Sequence, residues 1–241
     1  MSLSRLILGT VVMLVAGVVA VSAGWWFFVR EDNQLATSAP DIPSELVEAA
    51  QTPGSSETPS SQGLTFVILA DRSEAAYFAD EKLASLPLPS TAKGATNDIE
   101  GAFHLTADGW ALDTSQQSVI RVGLANLVSG EDRRDNRVRE ALEVSTYPTA
   151  TFTITSVTGV DPSLPADQEQ EFQMTGVLDL HGVQKEVTWD VQARREGNVL
   201  TALATTNFRY EDFNIPVLNI AGFVTVEEDV TLQMQIVAQA Q

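Results

Sequence analysis

The stretch that decides the fold runs Glu169-Gln170-Glu171-Phe172-Gln173-Met174-Thr175-Gly176-Val177-Leu178-Asp179-Leu180-His181. After Gly182-Val183-Gln184 it resumes as Lys185-Glu186-Val187-Thr188-Trp189-Asp190-Val191-Gln192-Ala193-Arg194-Arg195. In the first half Phe172, Met174, Leu178 and Leu180 alternate with Glu171, Gln173, Thr175 and Asp179. In the second, Val187, Trp189, Val191 and Ala193 alternate with Glu186, Thr188, Asp190 and Gln192. A period of two places every apolar member on one side of an extended chain and every polar member on the other. The His181-Gly182 step between the halves suits a tight hairpin. Two antiparallel strands, each with one dry and one wet face, follow from this.

The same alternation spreads outward in both directions. Beyond Glu196-Gly197-Asn198, a second hairpin turn, lie Val199–Arg209 and Asp229–Ala238, where Val230, Leu232, Met234 and Ile236 alternate with Thr231, Gln233 and Gln235. Upstream, Phe152 and Ile154 alternate with threonines in Thr149–Val157, and Ile120, Val122 and Leu124 alternate with Arg121 and Gly123 in Ser118–Leu127. Thr65–Leu69, Ser73–Lys82 and Ile99–Thr106 complete a set of about eight or nine strands, which predicts an all-β, antiparallel fold, an up-and-down barrel or a sandwich. One interruption reads as helical: Glu131–Leu142 is charge-rich, holds no Gly or Pro, and sets Val138 and Leu142 four apart. A short helix capping an opening of the barrel is expected there.

The N-terminal quarter reads differently. No charged residue occurs from Leu6 to Val29, a run longer than the roughly 20 residues that cross a bilayer core. Arg5 precedes it, Arg30 follows, and Trp25-Trp26-Phe27-Phe28 suits a membrane interface. The competing reading is a cleaved signal peptide ending at Val21-Ser22-Ala23. Residues 30–63 carry Ser, Thr, Pro, Ala, Gln and acids without aromatics and read as a flexible linker. The expected organisation is a cytoplasmic stub (1–5), a transmembrane helix (6–29), the linker (30–63) and a barrel (64–241). The protein is then single-pass in the inner membrane, with its C-terminal domain in the periplasm or outside the cell.

Composition narrows the chemistry. Among 241 residues, 14 basic and 32 acidic side chains give a net charge of −18. That opposes a phosphate backbone, so no nucleic-acid partner is expected. The absence of cysteine removes disulfides, thiolate metal sites and thiol nucleophiles. His104 and His181 are far apart and have no spaced partner, so no metal site is expected. No G-x-S-x-G, P-loop or H-E-x-x-H pattern occurs. The chain therefore reads as a binder rather than an enzyme, with no catalytic residue and no cofactor. Arg133, Arg134, Arg137 and Arg139 form a basic cluster in this acidic chain. They can pair locally with Glu131, Asp132, Asp135, Glu140 and Glu143, or some can hold an anionic head group.

Several segments together resemble the YceI-like family. They are Ser73-Glu74-Ala75-Ala76-Tyr77-Phe78, Ala92-Lys93-Gly94-Ala95-Thr96-Asn97-Asp98-Ile99-Glu100-Gly101, Arg134-Asp135-Asn136-Arg137 and Tyr147-Pro148-Thr149-Ala150-Thr151-Phe152. Thr175-Gly176-Val177-Leu178-Asp179-Leu180-His181-Gly182-Val183-Gln184-Lys185-Glu186-Val187 and Phe208-Arg209-Tyr210-Glu211-Asp212-Phe213 continue the family's order. One departure is Asn136, where many members carry histidine after Arg-Asp. The resemblance covers about Thr65 to Val237. It implies a lipocalin-like barrel that holds an isoprenoid or other long-chain lipid, of polyprenyl or quinone type, in its interior. Alternation by itself gives a dry interior and leaves open whether that interior is hollow or packed. With the resemblance, Phe103, Ile120, Val122, Phe152, Ile154, Met174, Leu178, Trp189, Leu232 and Met234 become candidates for the cavity wall. Arg134 and Arg137 become candidates for the head group. The alternative is a packed module without ligand that docks onto a membrane redox or envelope-stress partner.

Overall fold

The computed structural model describes residues 33–50, 63–83, 90–106, 111–165, 167–217, 219–220 and 224–241. The expected membrane helix at 6–29 lies outside them. Among the described residues no helix is long and apolar enough to cross a membrane.

Leu35–Gln241 is a compact unit. Its strands are β1 (Leu64–Ile68), β2 (Glu74–Leu83), β3 (Ser90–Thr96), β4 (Ile99–Leu105), β5 (Val119–Gly123), β6 (Thr149–Thr158), β7 (Gln170–Leu180), β8 (Val183–Glu196), β9 (Val199–Arg209), β10 (Asn219–Ile220) and β11 (Val224–Ala240). Helix α1 spans Ser44–Ala50 and α2 spans Asp132–Ala141, within the expected Glu131–Leu142. Eight strands close on themselves in the order β1-β4-β5-β6-β7-β8-β9-β11 and back to β1, and the pairings are antiparallel. The hairpin between β7 and β8 turns on His181 and Gly182, both at positive φ (54° and 72°). That conformation matches the twist of the flanking strands.

Closure depends on β11, which has 17 residues. One edge pairs with β9 from Asp229↔Arg209 to Gln239↔Val199. The other edge serves two partners in turn, β2 from Val224 to Gln235 and β1 from Ala238 to Ala240. A 3₁₀ turn at Ala70–Arg72 carries the chain from β1 to β2. Across that break Leu69 N donates to Val237 O at 2.8 Å, and Val237 N donates to the buried Ser73 Oγ at 3.0 Å. These two bonds bridge the step.

Strand β3 was not expected, since Ser90–Thr96 lacks alternating large apolar residues. It forms because β2 presents a free edge, and its own far edge bridges to the loop before α2 through Ala95 and Val128, at 2.9 and 3.0 Å. Other boundaries also move. The strand expected over Ser118–Leu127 ends at Gly123, and β11 extends beyond Asp229–Ala238 at both ends.

The expected linker is partly seated on the barrel. Ala36 N donates to Gln233 Oε1 at 2.9 Å, and Gln233 Nε2 returns a bond to Ala36 O at 2.9 Å. Arg194 holds Asp41 at 2.9 Å, and Glu45 holds Arg72 at 2.8 Å. Val47 packs with Val199 and Val237 beside Ile42, Leu46 and Leu69. The cause lies in β9. Over Val199-Leu200-Thr201-Ala202-Leu203-Ala204 both faces are apolar or buried, so the outer face also needs cover. Residues 51–62 of that linker lie outside the described ones. Val47→Asp is expected to release this segment, seen as new proteolytic cleavage between residues 35 and 50 while the far-ultraviolet circular dichroism of the barrel is retained.

Candidate functional site

Successive inward residues on the walls stack along the barrel axis. Going down β6 they are Ala150, Phe152, Ile154 and Val157; down β8, Trp189, Val191 and Ala193; down β11, Val230, Leu232, Met234 and Ile236. The upper members line a cavity of about 140 Å³ and the lower members one of about 100 Å³. The two chambers lie end to end. At their junction Phe152 and Trp189 meet edge to face, with ring centroids 5.8 Å apart and planes at 62°. Gly176 makes room for this: a Cβ there would sit 2.8 Å from the Phe152 ring and 2.2 Å from Thr153 O. The Trp189 ring is buried to 2% exposure, and its Nε1 has no hydrogen-bond partner.

Each residue singled out from the sequence can now be placed. Ile120, Val122, Phe152, Leu178, Trp189, Leu232 and Met234 line the upper chamber, and Phe103, Ile154 and Met174 line the lower one. Of the two arginines, Arg134 reaches the upper chamber. Arg137 points to solvent, its side chain 64% exposed and paired with Glu140 at 3.2 Å, so it does not join the cavity. Local pairing accounts for Arg137, and Arg139 bonds Asn136 Oδ1 at 2.8 Å. Arg134 pairs instead with Glu81 on β2, Nε to Oε1 at 3.4 Å and a terminal nitrogen to Oε2 at 3.4 Å.

The upper chamber has a polar mouth. Helix α2 roofs it with Val138 and Ala141, and Leu124, Leu127 and Leu142 support that roof. Asp135, buried in α2, accepts from Ser129 N at 2.9 Å and Ser129 Oγ at 2.5 Å, which fixes the loop ahead of the helix. Beside Arg134 and Glu81 stand Tyr77 and Tyr210. The Tyr77 ring lies over Gly94 of β3, where a Cβ would fall 2.2 Å from Cε1. Burial raises the Tyr77 phenol above its ordinary range; Arg134 acts against this, and Asp135, Tyr210 and Glu81 add to it. Burial, helped by Glu81, pushes Tyr210 up to about 12. Both hydroxyls therefore stay neutral at physiological pH and can donate as well as accept.

Tyr77, Glu81 and Tyr210 were not among the candidates. A trace of the first two existed in the sequence: Ala75, Tyr77, Ala79 and Glu81 share one face of β2, where small residues leave space for the large ones. The histidines are engaged locally. His104 Nδ1 lies 3.1 Å from Thr65 Oγ1, and His181 Nδ1 donates to Phe213 O at 3.0 Å. Among the described residues no group of three or more His, Asp or Glu is placed to hold a metal ion.

Residues 67–238 match the model of the YceI-like domain. The chain belongs to the YceI-like family. A UPF0312 protein of Vibrio vulnificus is 30% identical over 141 residues, covering 54% of this chain and 71% of that protein. Another, of Vibrio parahaemolyticus, is 30% identical over 143 residues, covering 56% and 70%. Among solved structures, a polyisoprenoid binding domain from Saccharophagus degradans, implicated in plant cell wall breakdown, superposes with a TM-score of 0.57. It is 17% identical, over 74% of this chain and 99% of that one. BcnA of Burkholderia cenocepacia gives a TM-score of 0.52 at 16% identity, over 71% and 99%. At these identities the structural likeness establishes the shared barrel.

In this YceI-like barrel, Gly176→Ala drives a methyl group into the Phe152 ring and is expected to lower stability by about 1–3 kcal/mol, measured by urea unfolding. The tyrosines give a pH dependence. Below pH 10 both states keep these phenols protonated, so they add no slope. Above it the unfolded chain ionises first, at about pH 10, while Tyr210 holds its proton to about 12. Stability is therefore expected to fall from about pH 10 upward by up to about 1.4 kcal/mol per pH unit for each such tyrosine. Denaturant titrations of wild type and Tyr210→Phe between these pH values check this, the variant showing the shallower decline.

Proposed function

We propose that this chain is a membrane-tethered, extracytoplasmic protein that binds an isoprenoid or other long-chain apolar lipid inside its barrel. The observation that carries the reading is the pair of apolar chambers lying end to end beneath one polar mouth. Burying apolar surface contributes roughly 25 cal/mol per Å², so a long tail is held without any single strong contact. Each chamber is smaller than the roughly 300–1,000 Å³ of an ordinary ligand pocket. An extended tail therefore occupies both by turning aside Phe152 and the unbranched Met174 and Met234 side chains, which adapt to irregular shapes. The polyisoprenoid binding domain from Saccharophagus degradans, which shares this barrel, supports the same class of ligand. The uncharged run from Leu6 to Val29 supports the tether, and Arg5 together with the scarcity of basic residues after Arg30 supports a cytoplasmic N-terminus. Binding, rather than catalysis, is the role: the one acid among the described residues lining the upper chamber, Glu81, is already paired with Arg134.

The test is native mass spectrometry of the full chain, purified in mild detergent without added lipid, with solvent extraction of any adduct. A stoichiometric apolar adduct is expected. A bare mass that persists after addition of a polyprenol would falsify the lipid reading and favour a packed interaction module. Trp189→Asp, which sets a carboxylate at the junction of the chambers, is expected to abolish the adduct. A folded variant that retains it would remove Trp189 from the wall.

A further inference from the structure

We infer that Glu81 selects the charge of the lipid's head group: the mouth admits an uncharged, hydrogen-bonding head, such as a hydroxyl, carbonyl or amide, and rejects a phosphate or carboxylate on the same tail. The inference rests on the lipid-binding reading above and specifies the ligand for the same site.

The positive charge at the mouth is already engaged. Among the described residues lining the upper chamber, Arg134 is the one cation. Two of its nitrogens lie 3.4 Å from the two oxygens of Glu81, and its third reaches Ser129 Oγ at 3.4 Å. Glu81 is buried to 8% exposure, and a second buried carboxylate, Asp135, lies on the same helix as Arg134 and close enough to act on the Tyr77 hydroxyl. Within the lining the Arg134 and Glu81 charges cancel, and Asp135, which does not itself line the chamber, sets a further buried negative charge behind them on α2. Partly buried charges are screened less than exposed ones, so an arriving anion finds a guanidinium already neutralised by Glu81, with the Asp135 carboxylate behind it. The remaining arginines of α2 do not line the chamber; Arg137 is held by Glu140 and Arg139 by Asn136.

An uncharged head meets different partners. Tyr77 and Tyr210 each offer a neutral hydroxyl at the same mouth, and burial keeps both protonated. A hydroxyl or amide can accept from one and donate to the other, or to Glu81, without separating the ion pair. Separating that pair would leave Glu81 as an uncompensated buried charge, which is strongly unfavourable. A neutral head costs none of this.

The experiment offers the full chain in detergent an equal mixture of a polyprenol and its monophosphate of the same tail length, and native mass spectrometry reads the bound ratio. Wild type is expected to favour the alcohol on the order of 100-fold. Glu81→Gln keeps the shape of the side chain and frees the guanidinium, and is expected to move the ratio toward the phosphate by about tenfold or more. Arg134→Gln leaves the carboxylate unopposed and moves the ratio further toward the alcohol. Equal uptake by wild type, a wild-type preference for the phosphate, or a Glu81→Gln ratio equal to that of wild type each overturns the inference while the lipid-binding reading stands. Uptake of neither lipid overturns both. Should Glu81→Gln fail to fold, the wild-type ratio and that of Arg134→Gln still decide.

Discussion

The constraint on which everything else depends is that β11 must be paired along both edges. A backbone N–H or C=O left unpaired in an apolar setting costs as much as a lost hydrogen bond, and an open sheet edge invites foreign strands. One edge of β11 is filled by β9, with the short β10 on Val224 and Thr225, and the other takes two strands end to end. The join between those two is sealed by Leu69 and Ser73 on the backbone of Val237. Once the ring is closed, every second residue of each strand points inward. The rows of Phe152, Trp189 and Met234 then come together without any contact having been specified on its own.

The interior and its mouth answer to different physics. Inside, the walls are apolar, and room arises where a glycine lets an aromatic ring lie across the wall, as Gly176 does for Phe152. At the mouth, Arg134 and Glu81 tie α2 to β2, and Asp135 fixes the loop that leads into α2. Dispersion and exclusion of water govern the first region, and paired charge governs the second. The boundary between them falls at the two buried phenols, Tyr77 and Tyr210, which have an apolar body and a polar tip.

The walls were legible because the rule behind them is local. Period two in β7 and β8 says which side chains share a face, and closure of the sheet decides that this face is inside. What escaped the sequence is what depends on distant partners. Strand β3 has small inward positions at Ala92, Gly94 and Thr96, and it becomes a strand only because β2 offers it an edge. Residues 35–47 have the composition of a spacer, yet they settle on a patch made by Val199 and Val237, more than 150 positions later in the chain. Arg134 and Arg137 lie one helical turn apart and look equivalent in the sequence. Their difference is made by Glu81, 53 residues upstream of Arg134.

Two irregularities in the walls govern how the barrel can change length over evolution. In β11 the register with β2 shifts between Val226 and Val230, whose partners Glu81 and Ala79 are two apart. The excess there is two residues, an even number, so Val226 and Val230 both still face inward. In β6 the shift between Ile154 and Ser156 adds a single residue, and Ile154 and Val157, three apart, both line the lower chamber. That odd insertion is tolerated because it is spent as a bulge that turns the chain over. The wall thus behaves like a reading frame of two. Pairs of residues can enter or leave without changing which side chains see the interior, whereas a single residue must bring its own bulge or turn the rest of the strand inside out.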